Sequence, residues 1–415
     1  MKGSTTSGPY HGIKIIDLTT MLSGPWATCI LADQGAEVIK VEVPGAGDHV
    51  RSLGNQRAGM SAMFLNINRN KRSITVDLKK PEGRQVVLDL AKSADVVVQN
   101  FRPGVVERLG VGYDDVVAVN PNVIYLSLSG FGEKGPWVGK PVYDPVIQAV
   151  SGLTTIQAGS DNERPRLIRT VLPDKLSAVA ASQSIGAALF HRERTGEGQH
   201  VRMSMLDAII SFLWASDFGG QTYPDAEVDN GAAASFIDLI YETTDGYITV
   251  STMSNKEWQA FCRAMKRPDL AADERFATPA LRDENVNERL QAIQECLLEH
   301  TTAENLELLE AEGVPCAPAL TRHDVIRHPQ VEAMETLFES EHHAAGRLRQ
   351  ARNPARFERS PATHRYGAPL LGEHCAEILR EIGYDDDHID ALRYTRVVGF
   401  ESDDSADASP RRAAV

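Results

Sequence analysis

The chain has 415 residues, of which 42% are hydrophobic, 24% charged and 6% aromatic. That balance excludes a disordered chain, a fibre and a small disulfide scaffold, and a length about three times that of a usual single domain predicts two domains. Asp and Glu number 57 against 43 Lys and Arg, a formal net charge of −14. This argues against sequence-independent nucleic-acid binding and against docking on an anionic membrane, both of which need a basic surface. Local basic clusters for a phosphorylated small molecule remain open.

From Gly12 the sequence alternates strand and helix. Ile13 to Leu18, IKIIDL, is a short branched apolar run that reads as a buried strand. TTMLSGP then turns the chain, with Ser23 placed to cap a helix, Pro25 just inside it and Gly35 just past its end. Glu37 to Glu42 is a second strand, and Pro81 opens a helix through Lys92. Asp95 to Val98 and Val123 to Leu128 are further strands. Strands separated by helices of this length imply a parallel sheet with right-handed crossovers, an α/β domain of Rossmann-like type. A long helix is predicted from Asp174 to Arg194, stopped by Gly196. Gly198 to Met205 alternates as a strand does, and Asp207 begins another helix.

The predicted organisation is therefore a large domain over 11–218, a Gly/Ala/Asp-rich linker over 219–235 and a smaller α+β domain over 236–330. The smaller domain has a hairpin around Thr244-Asp245-Gly246 and helices from about Lys256, Glu284 and Thr302. Residues 331–400 are read as a return linker and C-terminal helices that pack on the large domain, and 401–415 as a disordered tail.

The five cysteines, Cys29, Cys262, Cys296, Cys316 and Cys375, are odd in number, far apart and without a CxxC pair. They read as reduced thiols of a cytoplasmic protein. No HExxH occurs among the 12 histidines, and adjacent His342 and His343 do not converge as ligands, so no metal is assigned. MKGSTTSGPYHG lacks the apolar run of a signal peptide, and no stretch approaches the ~18 apolar residues of a membrane span.

Gly130-Phe131-Gly132-Glu133-Lys134-Gly135 matches GxGxxG after a predicted strand. A dinucleotide fingerprint needs a helix to start at its third glycine, and here Pro136, Pro141 and Pro145 follow. The glycines fit a turn, or a loop where backbone approaches a ligand. Asn100, Phe101 and Arg102 follow the strand DVVV, at the edge where open sheets bind ligands. An aromatic face with an amide and an arginine suits a base and phosphate, and Lys71, Arg72, Lys79 and Arg108 add charge; a surface turn with solvated cations is the plainer reading. Asp174, directly after Pro173, reads either as an ordinary helix cap or as a carboxylate kept ionised by the helix start.

Several strings in order then carry a resemblance: GIKIIDLTTMLSGP at Gly12, GAEVIKVE at Gly35, NRNKRSITVDLKKPEG at Asn68, ADVVVQNFRPGVVERLG at Ala94, SLSGFGEKGP at Ser127, YDPVIQAVSGL at Tyr143, RTGEGQHVRMSMLDA at Arg194, VPCAPAL at Val314 and APLLGEH at Ala368. Together they resemble the class III coenzyme A transferases, the carnitine/bile-acid type that includes formyl-CoA:oxalate transferases and α-methylacyl-CoA racemases. The resemblance implies an interlocked homodimer with a Rossmann-like large domain and a small domain, acyl-CoA and a carboxylic acid as substrates, CoA as co-substrate, and no permanently bound cofactor. It places the catalytic aspartate at Asp174 and the adenine at Asn100 and Phe101. It implies further CoA contacts at Met21, Leu22, Ser23, Val76, Lys79, Val105, Arg108, Leu109 and Tyr143, with Arg102 or Lys140 replacing basic residues absent at Val43 and Pro141. Leu22 and Leu53 stand where oxalate-type members have glutamine and tryptophan, and a run of four glycines is missing, which argues against oxalate as acceptor. Racemisation and silent acyl-CoA binding are the competing readings of the same resemblance.

Overall fold

Six strands form the central sheet: β1 (Lys14–Asp17), β2 (Glu37–Glu42), β3 (Lys71–Thr75), β4 (Val96–Gln99), β5 (Ile124–Ser129) and β6 (His200–Ser204). Their order is β3-β2-β1-β4-β5-β6 and every pairing is parallel, the doubly wound order of α/β folds. The connections contain α1 (Ser23–Asp33), α2 (Pro81–Lys92), α3 (Val105–Leu109), α4 (Tyr113–Val119), α5 (Asp144–Val150) and α6 (Leu172–Thr195), and α7 (Met205–Trp214) follows β6. This computed structural model describes residues 8–226 and 239–399. Part of the predicted linker and the predicted tail over 401–415 lie outside the described residues.

The chain separates into two units, one of Met1–Gln157, Pro165–Glu227 and Thr336–Val415, the other of Ala158–Arg164 and Val228–Glu335. In the second unit, β7 (Ile240–Glu242), β8 (Tyr247–Val250) and β9 (Cys316–Pro318) form an antiparallel sheet. It is covered by α8 (Asn255–Ala264), α9 (Val286–Leu297) and α10 (Thr302–Ala311) around Trp258, Phe261, Leu290 and Ile293. The hairpin turn is anchored by Asp245, which accepts hydrogen bonds from the backbone and hydroxyl of Thr302 at 2.7 and 2.9 Å.

The chain then adds a hairpin of β10 (Leu337–His342) and β11 (Gly346–Ala351) to the first unit, followed by α11 (Cys375–Glu381) and α12 (Asp386–Tyr394). Alternation of side chains gives the parallel sheet two cores. Ile16, Ile39, Ile74, Val97 and Tyr125 pack against α2, α4, α11 and α12. Ile15, Val38, Val96 and Ile124 pack against α1, α6 and α7.

Four local expectations change. Strand β3, KRSIT, does not read as buried, yet Lys71 is enclosed with its Nζ 2.9 Å from Asp17. Arg72 bridges Glu37, Glu377 and Glu381. Neither cation is available to a ligand. Residues 337–351 form a hairpin where a linker is predicted, because its alternation is of charged and half-buried side chains. Helix α6 starts at Leu172, so Asp174 is its third residue rather than its cap. Ser23 is the first residue of α1 rather than its cap, and Leu22 occupies the cap position with no side-chain hydrogen bond.

Candidate active site

The carboxyl ends of β1, β4 and β5 open into a cavity of about 240 Å3, the edge at which open parallel sheets bind ligands. One wall is the turn from β1 to α1, with Thr20, Met21 and Ser23. A second is Asn100, Phe101 and Arg102 after β4. The third is the loop after β5, with Phe131, Val138, Lys140, Val142 and Tyr143, and Asp174 stands among them.

Asp174 is positioned by two helix starts. Its backbone N–H donates to Asp144 Oδ2 at 3.1 Å, and Asp144, 2% exposed, is the first residue of α5. The other oxygen of Asp144 accepts from Gln148 Nε2 at 2.6 Å. Gln148 also holds the strand of chain that leads into α6, donating to Thr170 O at 3.2 Å and accepting from Ile168 N–H at 2.9 Å. Ser23 lines the same cavity, and its hydroxyl favours the ionised Asp174 carboxylate. Burial, and then the like charge of Asp144, push the Asp174 carboxyl up to about 6, and the Ser23 hydroxyl works in the opposite direction. Burial also raises the Asp144 carboxyl, opposed by Gln148, the Asp174 N–H and the charge of Lys175. The result is a carboxylate that is ionised near neutral pH and more basic, hence more nucleophilic, than a solvated one.

Among the residues predicted for the site, Met21, Ser23, Asn100, Phe101, Arg102, Tyr143 and Asp174 line this one cavity. Asn100 is a clamp: its Oδ1 accepts from Thr20 N–H at 2.9 Å and its Nδ2 donates to Thr20 O at 2.7 Å. Leu22 packs into a separate cluster with Val50 and Phe64. Val76, 1% exposed, is a core residue. Lys79 and Arg108 are exposed outside the cavity, and Val105 and Leu109 lie with Arg108 on α3. No helix follows Gly135 until Asp144. Gly130 is required by contact rather than by a ligand, since a Cβ there would lie 2.2 Å from Val142 Cγ1.

Sequence reasoning misses Asp144 and Gln148 as parts of the site. Their signal is the spacing of four residues that opens α5, Asp-Pro-x-x-Gln, but their partners lie 20 to 30 residues away. Among the described residues, no three His, Cys, Asp or Glu are grouped to hold a metal ion, and no helix is long and apolar enough to cross a membrane.

Comparison with known proteins is consistent along nearly the whole chain. CoA-transferase family III matches residues 10–375. Succinyl-CoA:glutarate CoA-transferase of Homo sapiens is 35% identical over 396 residues, covering 94% of this chain and 90% of that protein. Acetyl-CoA:oxalate CoA-transferase of Acetobacter aceti is 34% identical, covering 90% and 96%. Among solved structures, the orthorhombic form of Rv3272 from Mycobacterium tuberculosis superposes with a TM-score of 0.79 at 34% identity, over 90% of this chain and all of that one. A CAIB/BAIF family protein from Brucella suis gives 0.79 at 31% identity, over 91% and 100%. The chain belongs to CoA-transferase family III and is an enzyme of the CoA-transferase class.

Proposed function

We propose that the protein moves CoA from an acyl-CoA to a free carboxylic acid through covalent intermediates on Asp174. The observation that supports this is the placement of the Asp174 carboxylate inside the cavity beside Ser23, with a carboxyl pushed up to about 6 and so ionised near neutral pH. In the first step it attacks the thioester carbon of the donor, the C–S bond breaks, and an aspartyl-acyl anhydride and CoA thiolate result. The thiolate attacks the aspartyl carbonyl, releasing the donor acid and leaving an aspartyl-CoA thioester. The acceptor carboxylate attacks that thioester, and the returning thiolate takes the new acyl group and frees Asp174. Thiolate and acceptor must be held near ~3–3.5 Å from the reacting carbon with water kept away. Phe131, Val138 and Val142 supply the apolar surface for that exclusion, and Met21, Phe101, Arg102 and Lys140 are the CoA-binding groups of this reading. Backbone N–H groups of the Gly130–Gly135 loop are its candidate oxyanion donors.

Proton transfer at an α-carbon needs an acid and a base matched to neutral pH. Tyr143, 67% exposed at the mouth, stands where the racemase reading needs a histidine, and a phenol does not take the imidazole's place as a proton-accepting base. Carboxylate chemistry is therefore favoured. Incubation with an acyl-CoA donor and hydroxylamine tests it: the enzyme should lose activity and carry a hydroxamate on the peptide containing Asp174. A label on another residue, or none, rejects the covalent route. The homodimer of this reading should scatter light as about 90 kDa, twice the 45.4 kDa chain, down to the lowest measurable concentration; reversible monomers would exclude interlocked chains.

A further inference from the structure

The turn that carries Ser23 is held by side chains from β1, β2 and the loops after β2 and β4. Thr19 N–H donates to Asp17 Oδ1 at 2.9 Å, Thr20 N–H to Asn100 Oδ1 at 2.9 Å and Met21 N–H to Asp48 Oδ1 at 3.0 Å. Two carbonyls are held as well, Thr19 O by Lys40 Nζ at 2.9 Å and Thr20 O by Asn100 Nδ2 at 2.7 Å. Met21 sits at φ 69°, a left-handed backbone that a residue with a Cβ adopts only when its surroundings impose it. At Gly24 a Cβ would lie 2.3 Å from Thr19 Cβ, so the turn closes on itself without room for another shape.

Asp48 is buried outside the cavity and forms an ion pair at 2.9 Å with fully buried Lys40. Its Oδ1 also accepts from Val50 N–H at 3.2 Å, and its own N–H donates to Glu42 Oε1, which in turn takes the Arg51 guanidinium. Asp17, on the other side of Lys40, pairs with Lys71 at 2.9 Å. Three carboxylates, Asp17, Glu42 and Asp48, thus balance three cations, Lys40, Lys71 and Arg51. Apolar packing commonly gives as much stability as a buried ion network, so its distinguishing result is the fixed geometry of the turn.

We propose that Asp48, held by Lys40, is a positioning residue for the active site: it locks Met21 into the left-handed turn and thereby keeps the Ser23 hydroxyl in the cavity that holds the Asp174 carboxylate. The geometric part stands on its own, and only its effect on turnover rests on Asp174 as nucleophile. The groups around Asp174 are Ser23 from α1 and Asp144 from α5, which itself feels Lys175 of α6. Those around Asp48 are Lys40 and Glu42 of β2.

Protein labelled with 13C in its aspartate carboxyls reports the titration of Asp174, with the signal assigned by Asp174→Asn. Ser23→Ala and Asp48→Ala should each raise the Asp174 midpoint by about 0.5–1 unit, because each withdraws the Ser23 hydroxyl from the ionised form. The double variant should show no more than the larger single shift. Asp48→Asn keeps an oxygen for Met21 N–H and should return the midpoint to within about 0.3 unit of the native value, whatever its thermal stability. Lys40→Gln gives the same test if Asp48→Ala does not fold: a smaller upward shift, absent when Ser23 is already alanine. An unmoved midpoint, or shifts that add in the double variant, overturns the proposal. The acidic limb of kcat/KM is measured alongside. A moved midpoint with an unmoved limb leaves the positioning role standing and counts against Asp174 as nucleophile.

Discussion

Two walls of the same cavity are built on opposite plans. The turn from Thr19 to Ser23 is fixed by buried charges, with Lys40 and Asp48 enclosed and paired at 2.9 Å. The facing loop from Gly130 to Tyr143 is held by rings: half-buried Phe131 and exposed Trp137 meet edge to face with centroids 5.1 Å apart, and Lys140 Nζ lies 3.8 Å over Trp137. Trp137 is 40% exposed. The charge-fixed wall carries Ser23, and the ring-built wall carries the apolar and cationic lining of the cavity. Buried ion pairs fix direction at a cost in desolvation, whereas stacked rings offer area with few directional demands. Precision is thus concentrated where a hydrogen bond must point, and adaptability where a shape must be met.

The comparison breaks first at Asp174. Replacing it with alanine should lower kcat at least ~10³-fold with an unchanged circular dichroism spectrum, since losing the nucleophile removes the route itself. Turnover near the native rate would show that neither wall serves this carboxylate. Stability separates the walls next. Lys40→Met leaves Asp48 buried and unpaired and should cost about 3 kcal/mol in urea unfolding, while Trp137→Ala on the exposed loop should cost less than about 1 kcal/mol. Equal losses would erase the distinction.

The smallest effect is on pH. Because the Asp174 carboxyl is pushed up to about 6, kcat/KM should fall about tenfold per unit as pH drops below that value. The sign for folding is the reverse. With a folded value of about 6 against 3.8 for the ordinary carboxyl, burial favours the protonated form, so its contribution to stability is full below 3.8 and lost as pH rises through 6. Asp174→Asn should therefore melt about 2–4 °C higher than the native protein at pH 7.5, with the difference vanishing near pH ~4. A constant difference across that range would place the like-charge pressure elsewhere.

What could be read from sequence follows from range. The strands IKIIDL and EVIKVE, the helix from Pro81 to Lys92 and the long helix ended by Gly196 are specified by neighbours within a few positions, and they appear where the pattern puts them. Strand β3 escapes because Lys71 and Arg72 look solvated until Asp17 and Glu381 arrive from 54 and 309 residues away. At its Pro-Asp helix start Asp174 reads as a cap as readily as a site, and only the resemblance singles it out; it lies third in α6 and lines the cavity. Asp48 is not, because its role exists only through Met21, 27 residues earlier, and a buried lysine inside an apolar strand. Asn100 reads as a ligand-facing amide but is engaged by Thr20 on both sides.

The bridges from Arg72 to Glu377 and Glu381 also have a consequence during synthesis. One face of the sheet is completed by Cys375, Ile378, Leu379, Ile389, Leu392, Val397 and Val398, all delivered by the far end of the chain. At ~5–20 residues per second, the 309 positions between Arg72 and Glu381 take about 15–60 seconds to emerge from the ribosome. For that interval the strands already made present an apolar surface with nothing to cover it. The last helices act as the closing step of assembly, and nascent chains stalled before them are the species most exposed to aggregation.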